Sequence, residues 1–462
     1  MNQLKRLESG IEGLDTLLKG GLIAGASYII QGRPGSGKTI LANQIGFNHI
    51  KRDGRVLFAT LLAEPHDRLF QFLTTLSFYD EAEVNQRIQF VSAFDTLEND
   101  GLDAVVKLLR REISRQKSSL LILDGLLNAR SKADSPLDTK QFISELQGHA
   151  AFAGCTVLFL TSSQLDDGSP EHTMVDGVIE MGEETISQKT VRRIRLRKTR
   201  GSGAIAGAHE FEITENGITV YPRIESILTG PALVDTGDFS LISSGIPTLD
   251  AQIGGGLMSS SVTLMMGPSG AGKTSVGAQF LAAATPEAPA LYFGFHESPS
   301  RLRMKAQALG LDFAGLEQSG ALHLSWNSAS AGLIDRLAYD LLYVVKEKGI
   351  KRVFIDSLLA MARVAVDQSR VLEIFTAVLG ELRSRDVTVM ATWEIQHLFN
   401  ERPIISAPEL SGVMDNLLFI QFGYKEVELQ RQLSILKIRD SAYDPALLEV
   451  VMGNAGIELK KA

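Results

Sequence analysis

Cysteine is nearly missing from this 462-residue sequence: Cys155 stands alone. One thiol makes no intrachain disulfide, no thiolate zinc cluster and no C-x-x-C redox pair. The expected compartment is the cytoplasm. Long apolar runs are missing too. None approaches the ~20 residues that cross a bilayer, so no membrane association is expected. The opening MNQLKRLESG has no hydrophobic stretch behind its basic residues, and no secretory signal is expected. Positive charge is not in excess: 46 Lys plus Arg stand against 54 Asp plus Glu, a net charge of −8. Bulk electrostatics therefore offer nucleic acid no attraction, which leaves only a local patch to do so. What is present is ordinary for a globular chain. Apolar residues make up 44% and charged residues 22%, which excludes a largely disordered or fibrous protein. The length exceeds one core at roughly 100–200 residues per domain.

An internal repeat organises the chain. Ser9-Gly10-Ile11 followed by Leu14-Asp15 recurs as Ser244-Gly245-Ile246 followed by Leu249-Asp250, 235 residues on (244 − 9). Gly20-Gly21-Leu22 recurs as Gly255-Gly256-Leu257, and GRPGSGKT at 32–39 recurs as GPSGAGKT at 267–274. The apolar run ending at Asp124 recurs ending at Asp356, and Lys198-Thr199-Arg200 recurs as Lys437-Ile438-Arg439. Five matches in one order and at near-constant spacing mark a duplicated domain. The stretch 222–240, rich in Pro and Gly and without periodicity, reads as the boundary. It predicts a first domain over 1–225, a linker over 226–240 and a second domain over 241–462.

Each half reads as α/β. Short apolar runs at 26–31, 56–61, 120–123 and 156–161 predict buried parallel strands, and the second half repeats them at 262–266, 290–295, 352–355 and 387–392. A helix is expected from Lys38 to about Lys51. Leu102, Val105, Val106 and Leu109 have helical spacing. Alternating strands and helices imply a mostly parallel sheet with helices on both sides.

Both halves carry GxxxxGKT between a predicted strand and a predicted helix, the context that gives the motif its meaning. Gly35, Ser36 and Gly37, and likewise Gly270, Ala271 and Gly272, bring backbone N–H groups to one point at a helix N-terminus. Lys38 and Lys273 then set a positive charge on the β and γ phosphates, and Thr39 and Thr274 offer hydroxyl oxygens to Mg²⁺. Asp124 and Asp356 end apolar strands on the ligand side of an open sheet, where a carboxylate holds Mg²⁺ through water or caps a helix. The cofactors expected are ATP and Mg²⁺.

The motif order resembles the KaiC family of the RecA-like P-loop ATPases, from about Leu7 to Ile457 and in both halves. The resemblance implies two tandem RecA-like domains stacked as rings. The implied assembly is a hexamer with ATP between subunits, an ATPase first ring, and an autokinase and phosphatase second ring. It implies adjacent catalytic glutamates after the strand that follows the phosphate-loop helix. The second half reads His296-Glu297 there, so only the second glutamate is kept. His296 serves either as a base or as a hydrogen-bonding spacer. In the first half Leu62 and Ala63 occupy the pair's positions, and Glu64 stands one residue late, as a displaced catalytic group or a solvated charge. Nucleotide binding is expected in both halves, and hydrolysis is weakened in both.

The resemblance also implies that Lys198 and Arg200, and Lys437 and Arg439, reach the γ-phosphate on a neighbouring subunit, as arginine fingers do. The alternative is a solvated basic strand, since Arg193, Arg195 and Arg197 alternate with Ile194 and Leu196. The family's phosphorylated Ser-Thr pair reads Ser411-Gly412 here. Ser411 is either a single phosphorylation site or a turn residue. No segment after Leu447–Val451 matches the tail by which clock members bind their activating partner, so a complete oscillator is not expected.

Three functions compete on this evidence. The first is a KaiC-like double-ring ATPase that signals through a protein partner. The second is a RecA- or RadA-type DNA-dependent ATPase. Its candidate loops, 164–172 and 396–408, lack the interleaved basic and aromatic residues that single strands need. The third is a silent scaffold held together by bound ATP.

Overall fold

A computed structural model describes residues 4–63, 66–133, 135–162, 165, 169–186, 189–228, 240–328, 333–395, 408–425, 428–439 and 441–461. The chain divides into two compact units, Met1–Arg223 and Ile224–Ala462.

Besides a two-stranded sheet of Arg6–Leu7 and Leu22–Ile23, the first unit is built on a sheet of nine strands. They are β1 (Ser27–Gln31), β2 (Val56–Thr60), β3 (Ile88–Ser92), β4 (Leu120–Asp124), β5 (Thr156–Thr161), β6 (Gly177–Ile186), β7 (Lys189–Thr199), β8 (Ala208–Thr214) and β9 (Gly217–Tyr221), in the order β9-β8-β7-β6-β1-β5-β4-β2-β3. Neighbours from β3 across to β6 run parallel. The remaining three strands pair antiparallel.

Alternation explains why the apolar runs are continuous. Phe58, Ile122 and Leu158 pack on one face of the sheet with Leu41 and Ile45 of the helix Lys38–Ile50. Leu57, Leu121 and Phe159 pack on the other face with Val105, Leu109 and Ile143. A strand covered on both sides needs apolar residues at both parities. The helix Phe94–Gln116 breaks at Gly101, whose φ of 79° no helix accommodates. Ser135 caps the helix Pro136–Phe152 through a reciprocal pair of bonds with Asp138.

The second unit repeats the plan. Its strands are β10 (Val262–Gly267), β11 (Ala290–Gly294), β12 (Leu322–Trp326), β13 (Arg352–Asp356), β14 (Thr388–Glu394), β15 (Asn416–Lys425), β16 (Glu428–Ile438), β17 (Leu448–Gly453) and β18 (Gly456–Lys461). Their order is β12-β11-β13-β14-β10-β15-β16-β17-β18. Leu291, Phe293, Val353 and Val389 face one helical layer with Leu341 and Phe375. Tyr292, Phe354 and Met390 face the other layer with Val276 and Phe280. Each fully buried Phe contributes about 1.5–3 kcal/mol. Both sheets are thus mostly parallel and flanked by helices, as the strand spacing predicted.

One segment differs from the sequence expectation. Residues 224–228, read as the end of the first domain and the start of a linker, belong to the second unit's core. Ile224–Ile227 forms a helical turn, and Ile224 is 1% exposed within the second unit's apolar cluster. Its backbone N–H donates to Asp335 at 3.0 Å. Pro222 and Gly230 suggest a break in the chain, but Ile224 is buried in that cluster and Leu228 packs against it.

Candidate nucleotide sites

Each site starts where a central strand ends. β10 is buried along its length and delivers Gly267 to the rim of the sheet, and the loop Pro268–Gly272 then turns into the helix Lys273–Ala282. Gly272 has φ +105°, and a Cβ there would stand 2.2 Å from Met452 Cε. In the first unit Gly37 has φ +95°, with a Cβ 2.7 Å from Ile213 Cδ1. The left-handed conformation is what requires glycine here, since the Met452 and Ile213 methyl ends could move aside. Gly272→Ala is therefore expected to cost the second unit about 1–2 kcal/mol and to weaken its nucleotide binding, read by thermal unfolding with and without MgATP.

The lysines sit alike. Lys38 Nζ donates to the Gly32 and Arg33 carbonyls, both at 2.9 Å. Lys273 Nζ donates to the Gly267 and Pro268 carbonyls at 2.8 and 2.7 Å. Burial lowers the pKa of both ammonium groups. Asp124 opposes this at Lys38, and Glu394 and then Asp356 oppose it at Lys273.

The threonine–aspartate pairs meet across the strand ends. Thr39 Oγ1 donates to Asp124 at 3.3 Å and Thr274 Oγ1 to Asp356 at 2.8 Å. The other oxygen of Asp356 accepts from Thr392 Oγ1 at 2.5 Å. In the first unit Asp124 stands in register with Leu160, which brings no hydroxyl. Hydroxyl and carboxylate oxygens side by side are the donor set of a hard divalent cation, so the residues fit Mg²⁺ in both units.

The segments 61–63 and 295–297 share a register. Leu61 N donates to the Asp124 carbonyl at 2.8 Å, and Phe295 N to the Asp356 carbonyl at 3.0 Å. Leu62 therefore occupies the place of His296, and Ala63 that of Glu297. Glu64 lies outside the described residues. His296 is exposed in the second site, and Glu297 is ion-paired with Lys305 of the helix Pro299–Ala308. The buried Oε2 of Glu297 has no hydrogen-bond partner. A cavity of about 590 Å³ joins Gly270, Lys273, Thr274, His296, Glu297 and Asp356. It also takes in Lys305, Arg363, Glu394 and Arg431, which sequence spacing did not single out. Their signal is three-dimensional, because each arrives from a different element.

The late basic residues bind within their own unit. Lys198 Nζ donates to the His172 carbonyl at 2.7 Å, and Arg200 to the Thr173 carbonyl at 3.2 Å. Lys437 Nζ donates to the Met414 and Ser411 carbonyls at 2.8 and 3.0 Å, and Arg439 to Asp415 at 2.9 Å. Ser411 lies in the 3-10 turn Pro408–Gly412. The basic run of β7 is matched by carboxylates on β6. Arg192 pairs with Glu183, Arg193 and Arg195 with Glu184, and Arg197 with Glu180, at 2.7–3.0 Å. Of the loops weighed for nucleic acid, 396–407 and most of 163–168 lie outside the described residues. No described helix is long and apolar enough to cross a membrane.

Known proteins carry the same pattern. A model of the KaiC ATPase matches residues 7–225 and 242–462. The circadian clock oscillator protein KaiC of Picosynechococcus sp. is 26% identical over 473 residues, covering 99% of this chain and 90% of the relative. The protein of the same name from Acaryochloris marina is 26% identical, covering 100% and 89%. Circadian clock oscillator protein KaiC 1 of Synechocystis sp. is also 26% identical, covering 99% and 89%. With a duplicated phosphate-loop domain in the structure and a family match across both copies, this chain belongs to the KaiC ATPase family.

Proposed function

We propose that both units bind MgATP and that the second unit hydrolyses it, while the first holds its nucleotide as a structural clamp. One observation carries this reading. Carboxylates and a titratable His296 line the second cavity, whereas Leu62 and Ala63, which cannot move a proton, stand at the matching places of the first. Mg²⁺ held near Thr274 and Asp356 would neutralise phosphate charge. Lys273 would bind the β and γ phosphates, and the loop amides would fix their orientation. His296 stands exposed in the same cavity.

The family relation supports a homo-oligomer, read as a hexamer with nucleotide at subunit interfaces. There Lys198, Arg200, Lys437 and Arg439 would act on a neighbour's phosphates by exchanging the carbonyl contacts, and for Arg439 the Asp415 ion pair, that they make at home. The same relation supports cytoplasmic signalling through a protein partner and phosphate transfer to Ser411. The matched charges of β6 and β7 favour this over a nucleic-acid role, because paired arginines release no counterions.

The test is the identity of bound nucleotide. After incubation with MgATP and rapid desalting, the intact chain is expected to hold ATP and ADP together. Lys273→Ala should hold only ATP, and Lys38→Ala mainly ADP. ADP in equal measure in both variants would sink the division of labour.

A further inference from the structure

We propose that Glu394 is the carboxylate that orients and deprotonates the attacking water in the second site, the task left open where His296 replaces a glutamate. The inference rests on the reading that the second unit hydrolyses ATP. Glu394 ends β14, the strand directly beside the phosphate-loop strand, and is exposed at its C-terminal end. It stands in register with Gly267, the first residue of the loop motif. The carbonyl of Gly267 accepts from both Lys273 Nζ at 2.8 Å and Ile395 N at 3.1 Å. The backbone of Glu394 is thereby pinned next to the group that anchors the phosphate-binding lysine. Its side chain lines the same cavity.

The other carboxylates of that cavity are already engaged. Asp356 gives one oxygen to Thr274 and the other to Thr392. Glu297 is ion-paired with Lys305 through one oxygen, while its buried Oε2 has no partner among the described residues. The Glu394 side chain makes no hydrogen bond or ion pair among the described residues, and its charge acts on Lys273. A general base must have a free oxygen within reach of the water, and Glu394 is the lining carboxylate with neither oxygen engaged by a described residue. The first unit has Ser162 at the corresponding place, one residue past Thr161 in the register of β1 with β5. Serine is no base there, in keeping with a clamp. In the step itself the water oxygen bonds to the γ-phosphorus as the bond to the β–γ bridging oxygen breaks, its electron pair leaving on ADP. The water's proton passes to Glu394 and returns to the released phosphate.

The test compares the full-length chain with Glu394→Gln and Lys273→Ala, following phosphate release from MgATP and the affinity of a fluorescent ATP analogue. Glu394→Gln is expected to lower kcat by roughly 10²-fold or more. Analogue affinity should change less than threefold, and the acidic limb of the kcat–pH profile should be lost. Turnover within threefold of the parent, in a chain that Lys273→Ala inactivates, overturns the role of Glu394 and leaves the second-site reading standing. A tenfold loss of affinity also overturns it, since Glu394 would then only hold the charge of Lys273. A parent without turnover, or one indifferent to Lys273→Ala, overturns both.

Discussion

Lys273→Ala is expected to lower steady-state ATP hydrolysis of the full-length chain by roughly 10²–10³-fold, the range for removing one preorganised charge-stabilising donor. The ammonium is buried, with 9% of the residue exposed, and is fixed by two loop carbonyls within 3 Å. It therefore pays little reorganisation when phosphate charge develops. Alanine restores none of that charge, and water entering the gap screens what remains. Lys38→Ala removes an identically placed ammonium from the first unit. Its expected effect on turnover is far smaller, because no proton acceptor stands at 62 or 63. Instead it should cancel the stabilisation that ATP gives the first unit, about 2.7 kcal/mol at 100 times the dissociation constant. Phosphate release measures the first effect and thermal unfolding with and without ATP the second. A chain whose turnover depends on Lys38 and not on Lys273 would reverse the assignment.

Arg370→Leu is expected to destabilise the second unit by about 3–5 kcal/mol, the cost of leaving buried charge without its partner. The guanidinium reaches Glu225 through two bonds of 2.9 Å and Asp335 through bonds of 3.0–3.1 Å. The side chains of Arg370, Glu225 and Asp335 are 8%, 13% and 0% exposed. Without the cation, two carboxylates remain in the interior, and the Asp335 bond to Ile224 N no longer offsets their repulsion. Arg370→Lys should recover only part of the loss, since an ammonium cannot present the planar fork that serves both carboxylates. Urea unfolding of the intact chain reads the change as a lowered midpoint for one transition. An unshifted midpoint in Arg370→Leu would show that the cluster contributes nothing net.

Much of this protein was legible along the chain. The phosphate loops combine a short glycine pattern with an adjacent strand and helix, so Lys38, Thr39, Lys273 and Thr274 could be singled out from neighbours alone. The central strands were visible because burial on both faces forces unbroken apolar runs. The strands after them were harder to read. β7 carries arginines at alternate positions, and without β6 beside it nothing shows that glutamates neutralise them. The 224–228 segment looked like linker because its partners, Asp335 and Arg370, lie more than 100 residues away.

By itself, the sequence determined the duplicated α/β plan, the two phosphate-loop motifs and the presence of Leu62 and Ala63 where the second half has His296 and Glu297. Those properties depend on residues that are close in the chain or on identities that folding does not alter. Tertiary structure alone decided that Thr392 shares Asp356, that Lys305 occupies Glu297, and that Glu394 stands beside Gly267. Each of these contacts joins separate strands or helices. Its existence depends on sheet register, which arises only when the whole apolar pattern is packed.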